Sequence, residues 1–256
     1  MEIVTTGVAR RPRAYVRVQG PDAEDFLQRM LSNDVTEAPC EALLLTAKAR
    51  VVAPLLVWRR GPDDFLLLTE PELGDVVLRQ LRRFRFAARC EIEPETHVSA
   101  IVFGSAEGIA NEEYGVGAVE VLDQELEPTI SAEELELLRI RAATPRWGRE
   151  LDDRVLPAEA GLDERAISFT KGCYPGQEPI ARLHFRGHAN RRLRVLEIET
   201  GEPPEYDAEI RQDDKVVGRV TSAVRDGDRV VALGFVRTEI ADDAELRVSG
   251  RAARLH

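Results

Sequence analysis

The most informative part of the sequence is the octapeptide Lys171-Gly172-Cys173-Tyr174-Pro175-Gly176-Gln177-Glu178. Its two glycines and its proline favour a tight turn that neither a regular helix nor a regular strand can adopt. Cys173 lies near the apex of this turn, two residues after Lys171. A thiol close to a cation has more thiolate character, and hence more nucleophilicity and metal affinity. The octapeptide makes Cys173 a candidate reactive group, and an inert, packed thiol is the alternative.

The residues that follow the octapeptide alternate between apolar and polar side chains. This alternation predicts a strand from Ile180 to Phe185, which would place Arg182, His184 and Arg186 on one face. His184 and His188 are four residues apart, a spacing that suits a metal site only on a helix. Because the pattern favours a strand and Gly187 intervenes, we predict no metal site here.

The other cysteines and a later group of arginines are less specific signals. Cys40 and Cys90 lie in or beside apolar strands, so we interpret both as structural. The sequence contains no C-x-x-C pair, and cysteine alone therefore encodes neither a closed zinc site nor a complete cluster site. Three arginines near residue 190 have two interpretations that the sequence favours equally: a site for a phosphate or carboxylate, and a solvent-exposed strand end. These are Arg191, Arg192 and Arg194.

Hydrophobic periodicity divides the chain into three predicted segments. Residues 1–104 follow a β-α-β-β-α-β order that resembles a split βαβ arrangement. Residues 105–190 begin in a loop-rich stretch, and then contain a helix over 132–142 behind the capping box at Ser131 and a long loop over 147–170. Residues 191–256 contain about five short alternating strands with Asp-rich hairpin turns, a pattern typical of a small β-barrel.

Composition limits the classes of function. The formal net charge of −11 argues against a general nucleic-acid binder but leaves room for a local basic patch. The first residues lack the apolar core of a secretory signal, and no apolar run is long enough to span a bilayer. Three scattered cysteines fit a reducing compartment, so we expect a cytoplasmic protein without membrane contact.

The octapeptide is similar to the signature of the YgfZ-type folate-binding proteins, which are relatives of the glycine-cleavage T-protein, an aminomethyltransferase. The match extends along nearly the whole chain and is weakest over residues 104–130. Further segments resemble the family at residues 20–28, 32–35, 44–51, 147–151, 156–162 and 186–191.

The resemblance implies an α+β, three-domain T-protein-like (aminomethyltransferase-like) fold around a central cavity, with a small C-terminal β-barrel. It also implies that tetrahydrofolate or a derivative binds in the cavity, and that the protein assists iron–sulfur client proteins, including enzymes of tRNA modification. Cys173 and Lys171 would be its reactive residues, carried by the motif loop. The folate contacts expected from the resemblance come from Asn33, Arg141, Arg182 and Arg186.

Two positions depart from the family pattern. Arg141 stands where the family has the glutamate that holds the pterin in aminomethyltransferases, and arginine offers only donors. Ala49 replaces a glycine that is common in the family between Lys48 and Arg50.

Three functions are compared. The favoured hypothesis is a folate-dependent accessory factor for iron–sulfur proteins, which is not a classical enzyme. A one-carbon (aminomethyl) transferase is the first alternative, and glycine-cleavage activity would identify it. A tRNA-interaction module that uses the arginines of residues 186–194 is the second alternative, and salt-dependent tRNA binding would identify it. The negative net charge argues against direct nucleic-acid binding.

Overall fold

A computed structural model describes residues 6–104, 107–115 and 117–256 and shows an α+β fold. The helices are α1 Ala23–Met30, α2 Gly74–Phe84, α3 Ala132–Arg141 and α4 Gln177–Arg186, with short 3-10 turns at Val35–Glu37, Pro71–Leu73 and Pro157–Glu159. The strands are β1 Gly7–Arg10, β2 Ala14–Gln19, β3 Cys40–Leu45, β4 Val51–Gly61, β5 Asp64–Thr69, β6 Glu91–Glu95, β7 Ser99–Phe103, β8 Ile109–Asn111, β9 Ala118–Leu122, β10 Arg191–Ile198, β11 Glu209–Gln212, β12 Lys215–Asp226, β13 Arg229–Arg237, β14 Leu246–Val248 and β15 Arg251–Leu255. No helix in the described ranges has the length and apolar character needed to cross a membrane.

The first sheet is antiparallel, with strand order β3-β4-β5-β2-β6. Helix α1 buries Phe26, Leu27 and Met30 against it, at the i, i+1, i+4 positions that the sequence pattern predicts. Helix α2 buries Val77 and Leu81 in the same core. The structure has the alternation of strands and helices predicted for this region, but three strands (β3, β4 and β5) rather than the two of the predicted β-α-β-β-α-β order lie between α1 and α2, and strand β1 was not predicted.

The second sheet has the order β1-β7-β9-β8, so it combines strands from both sides of residue 104. Strand β7 pairs with β9 from Ser99 opposite Leu122 to Phe103 opposite Ala118. The predicted boundary at residue 104 therefore falls between two strands of one sheet. Strands β8 and β9 were not predicted, because β8 is only three residues long and lies in a stretch rich in glycine.

The C-terminal region is a closed barrel in the order β10-β13-β12-β11-β14-β15, which confirms the predicted barrel. It has six strands rather than about five. The additional strand is β15, which pairs with both β14 and β10 and closes the barrel. Its sequence, Arg-Ala-Ala-Arg-Leu, lacks the β-branched and aromatic residues that mark strands.

The strand predicted from Ile180 to Phe185 is wrong, because these residues lie in α4. Gly176 adopts a left-handed conformation before the helix, and Pro179 lies in its first turn, where a missing N–H costs nothing. Ile180 and Leu183 are three residues apart and therefore share one face of a helix, whereas the alternation of Leu183 and Phe185 that suggested a strand includes a phenylalanine that is 69% exposed. The helix ends at Arg186, so His188 lies outside it, and His184 stacks on Phe169 with 4.0 Å between ring centroids.

A Schellman-type turn ends α3 with alanine in the position that glycine usually occupies. The amide of Ala143 donates to the carbonyl of Ile140, and the amide of Thr144 donates to the carbonyl of Arg139. Ala143 itself has φ +53°, a conformation that costs an L-residue about 1–2 kcal/mol.

Replacing Ala143 with glycine should raise the free energy of unfolding by roughly 0.5–1 kcal/mol, because glycine adopts this conformation without steric cost. Differential scanning calorimetry should show a rise in Tm of about 2 °C. Ala142→Gly is the matched control: residue 142 has φ −76°, so glycine there only adds entropy to the unfolded chain and should not raise Tm. Equal increases in both variants would contradict this explanation.

Candidate functional site

The octapeptide packs directly on the turn between β3 and β4. Gly176 has φ +86°, and a Cβ atom built on it would lie 2.7 Å from the carbonyl oxygen of Thr46 and 3.0 Å from the Cα of Ala49. Both the conformation and the close approach require glycine. Ala49 also has a positive φ, of 59°, which explains why a glycine suits that position as well. The two segments singled out by the resemblance therefore meet in space.

Tyr174 anchors the loop in a hydrophobic cluster. Its ring is buried with Leu43, Leu162 and Ile180, and burial raises the pKa of its phenol to about 12. The hydroxyl has no hydrogen-bond partner among the described residues. Because Leu43 and Leu162 also line the central cavity, the cluster connects the loop to the cavity wall.

Lys171 ties the start of the loop to the segment after α1. Its Nζ donates to the carbonyl oxygens of Leu31 at 2.8 Å and Asn33 at 2.7 Å. Burial lowers the pKa of Lys171 to about 8, while the nearby Asp34 and Cys40 act in the opposite direction. The ammonium group therefore has a positioning role in the loop and is partly withdrawn from water.

The three cysteines have different surroundings. Cys173 is exposed, Cys40 is half-buried and Cys90 is buried. Burial, reinforced by Asp34, raises the pKa of the Cys40 thiol to about 11, and burial also raises the pKa of Cys90. Cys173 is thus the accessible thiol, although it does not line the cavity. Cys40 does line the cavity, which its position beside an apolar strand did not indicate.

A cavity of about 430 Å³ lies where the two sheets, α3 and the long loop meet. This volume is within the range of small-molecule sites. Part of the wall is apolar, formed by side chains that include Leu43, Leu55, Leu56, Leu135 and Leu162. Arginine–glutamate pairs also line the cavity, so the wall offers both apolar contact and fixed charges to a ligand.

The charged residues of the wall include two largely buried arginines near the N-terminus, Arg11 and Arg13. Arg13 contacts Glu113 at 2.6 Å and Glu120 at 2.8 Å, and Arg11 contacts Glu70 at 2.8 Å and Glu113 at 3.1 Å. Although burial opposes ionisation, Arg13 and Arg11 hold the pKa of Glu113 well below its usual range. Glu113 is therefore an ionised acceptor at neutral pH.

Two further pairs complete the polar wall. The Nε and Nη2 atoms of Arg165 each donate a hydrogen bond to the carboxylate of Glu41. Glu136 accepts from Arg139 at 2.7 Å and from Arg146 at 3.2 Å. Among the described residues of the wall, Glu112 is the one carboxylate without an arginine partner.

The four residues predicted to contact folate do not line this cavity. Asn33 donates to the carbonyls of Glu41 at 2.7 Å and Arg165 at 3.2 Å, and so supports the wall from behind. Arg141 is exposed and pairs with Asp226 of the barrel. Arg182 and Arg186 are exposed on α4.

The polar residues that do line the cavity were missed because they come from distant parts of the sequence: Arg11, Arg13, Glu41, Glu113 and Arg165. One signal was available. Three of the four residues from Arg10 to Arg13 are arginines, directly before a predicted strand, which is unusual in an acidic chain. That local basic cluster could have indicated a charged site.

The chain has three lysines, so the environment of Lys171 can be measured by acylation and mass spectrometry. We predict half-maximal reactivity of Lys171 with acetic anhydride near pH 8, because burial lowers its pKa from the usual value of about 10.4. The exposed Lys48 and Lys215 serve as internal references in the same sample. A half-maximal pH for Lys171 above 10 would contradict the buried, doubly hydrogen-bonded ammonium.

Comparisons with known proteins agree with this fold. A tRNA-modifying protein YgfZ from Serratia proteamaculans is 26% identical, and the match covers 92% of this chain and 85% of that protein. An aminomethyltransferase from Synechocystis is 25% identical over 94% of this chain, which spans 55% of its length. The crystal structure of glycine cleavage system aminomethyltransferase T from Bartonella henselae matches 98% of this chain and 85% of its own with a TM-score of 0.82 and 18% identity.

No family model matches the sequence. The structural match shows the fold. The matches to the YgfZ proteins cover nearly all of this chain and at least 85% of each relative, so these relatives are similar to it in length. The aminomethyltransferase is longer, and this chain spans 55% of it. Together these findings make the chain a YgfZ-type relative of the glycine-cleavage T-protein.

Proposed function

We propose that this protein binds a reduced folate in its central cavity and acts as an accessory factor for iron–sulfur proteins, with Cys173 as its reactive group. The observation that carries the proposal is the shared cluster of Tyr174, Leu43 and Leu162, which joins the loop of the exposed cysteine to the cavity wall. The relatives named tRNA-modifying proteins support a role in tRNA modification through such clients.

The residues of the cavity wall match the chemical groups of a folate. A pterin ring presents paired N–H groups, and the carboxylates of Glu41, Glu113 and Glu136 keep free lone pairs beside their arginine partners. The leucines of the wall suit the aminobenzoyl ring. Arg10 is exposed at the cavity and suits the carboxylates of the glutamate tail. When bound, a reduced folate supplies a carrier for one-carbon units.

Cys173 suits transient contact with a cluster or a client thiol. Among the described residues, no group of three or more His, Cys, Asp or Glu side chains is arranged to hold a metal ion. A cluster would therefore be cargo, bound by the Cys173 thiolate together with groups of the client. Three free cysteines agree with the reducing cytoplasm that we propose as its location.

The transferase alternative requires a carboxylate free to move protons beside the folate amine. In the described cavity wall, all carboxylates except Glu112 are engaged by arginines. Glu112 is thus the one carboxylate of the described wall that could take this role, and the accessory role is preferred because fold kinship alone does not transfer the activity.

We predict that tetrahydrofolate binds the intact protein and that a bulky side chain in the cavity abolishes binding. Ala110→Trp is suitable, because Ala110 lines the cavity from the exposed face of β8 and its replacement leaves the core intact. Isothermal titration calorimetry and the ligand-induced rise in Tm should both lose their signal in this variant.

Arg141→Glu is the matched control for folate binding. Since Arg141 points to Asp226 rather than into the cavity, this variant should bind tetrahydrofolate with unchanged affinity. Undiminished binding to Ala110→Trp, or tighter binding to Arg141→Glu, would place the folate elsewhere.

We predict that Cys173→Ala folds normally and fails to support iron–sulfur enzymes in cells that lack the native protein. The exposed side chain contributes little buried apolar area, so the free energy of unfolding should stay within about 0.5 kcal/mol. Cys90→Ala, the buried control, should lose roughly 1 kcal/mol and keep the function. Full complementation by Cys173→Ala at equal protein levels would show that the cysteine is not the reactive group.

A further inference from the structure

The end of α2 carries an exposed segment of unusual composition. Residues 79–89 contain five arginines, two phenylalanines and no acidic residue, in a chain with a net charge of −11. Phe84 is 42% exposed and Phe86 is 85% exposed. We call residues 79–89 the α2 patch. It lies outside the cavity and the motif loop, and neither site uses it.

The backbone at Phe86 is strained without any gain in burial. Phe86 has φ +42° just after the end of α2, at the position that glycine normally occupies. A bulky residue in this conformation is a genuine outlier, and its ring remains in solvent. Folding alone does not explain such a residue, so the exposed ring points to a binding role.

The two rings and the arginines form one surface. Phe84 and Phe86 meet edge to face with 6.4 Å between centroids, and the Arg83 guanidinium lies 5.5 Å from the Phe84 centroid. A shallow groove of about 310 Å³ on the same helix is lined by Val76, Arg79, Gln80 and Arg83. The patch therefore offers flat aromatic faces next to cations.

Most of the positive charge of the patch is free for a partner. Arg89 pairs with Asp22, and within the described part of the chain the other arginines of the patch pair with no carboxylate. Arg82 and Arg85 donate one hydrogen bond each to backbone carbonyls, of Ile92 and Cys90, which directs them without neutralising them.

We propose that the α2 patch binds single-stranded RNA, with the phenylalanines stacking on unpaired bases and the arginines contacting phosphates. Aromatic rings beside arginines are the combination that single strands require. The apolar face of α2 is already buried through Val77 and Leu81, so no helix face remains to enter a membrane. Because the rest of the chain is acidic, binding should be local and sensitive to salt. The inference is independent of folate binding.

Fluorescence anisotropy with a fluorescein-labelled oligouridine of about 15 nucleotides tests the proposal. About three phosphate contacts predict a slope near −2 for log K against log salt concentration. Phe86→Gly should weaken binding about tenfold, the value typical of one stacked base. The same change should raise Tm, because glycine relieves the backbone strain, and this second readout shows that the variant is folded.

Matched variants separate stacking, local charge and net charge. Arg79→Gln with Arg83→Gln should reduce the salt slope by about 1.4. Arg247→Gln with Arg251→Gln, the same charge change on the barrel, and Phe185→Ala, an aromatic residue 69% exposed on α4, should leave binding unchanged.

Several outcomes would overturn the proposal. One is unchanged RNA binding in Phe86→Gly, and another is equal loss in the barrel variant or in Phe185→Ala. The proposal would also be overturned if oligoglutamate displaced the RNA and the affinity for RNA did not change when Phe84 or Phe86 was replaced. So would binding to phosphatidylserine vesicles without binding to oligouridine.

Discussion

The close contact of Gly176 with the β3–β4 turn is the constraint on which the site depends. With the glycine backbone against the Thr46 carbonyl, the chain can bury Tyr174 on one side and begin α4 on the other. The same placement leaves Cys173 in solvent and directs Lys171 toward the carbonyls of Leu31 and Asn33. Any larger residue at this position would separate the loop from the sheet, and the exposed thiol would lose its fixed location.

Ion pairs that are largely withdrawn from water form part of the cavity wall. Burying Arg13 with Glu113 and Glu120 is costly, and it is tolerated because each carboxylate receives several hydrogen bonds. Buried charged pairs contribute little net stability. They do hold their carboxylate oxygens in fixed orientations, in which these oxygens can accept hydrogen bonds from the polar ring of a ligand. This arrangement favours a binding role for the wall over a purely structural one.

Features with a local cause could be predicted from the sequence. The capping box at Ser131, the apolar spacing of α1 and the barrel hairpins depend on neighbouring residues, and all three are present. Helix α4 was mistaken for a strand because Leu183 and Phe185 are two residues apart between polar residues, although Phe185 is exposed on the helix. The cavity wall could not be predicted, since pairs such as Glu41 and Arg165 are 124 residues apart and meet only through the fold.

The central claim is that a folate in the cavity and the Cys173 loop belong to one functional unit, joined by the cluster around Tyr174. Hydrogen–deuterium exchange of the intact protein, with and without saturating tetrahydrofolate, tests it most directly. We expect added protection at the cavity wall, in residues 110–114 and 162–166, and in the loop 171–178, while the barrel strands stay unchanged. Protection confined to other regions, or a loop unaffected by bound folate, would contradict the account.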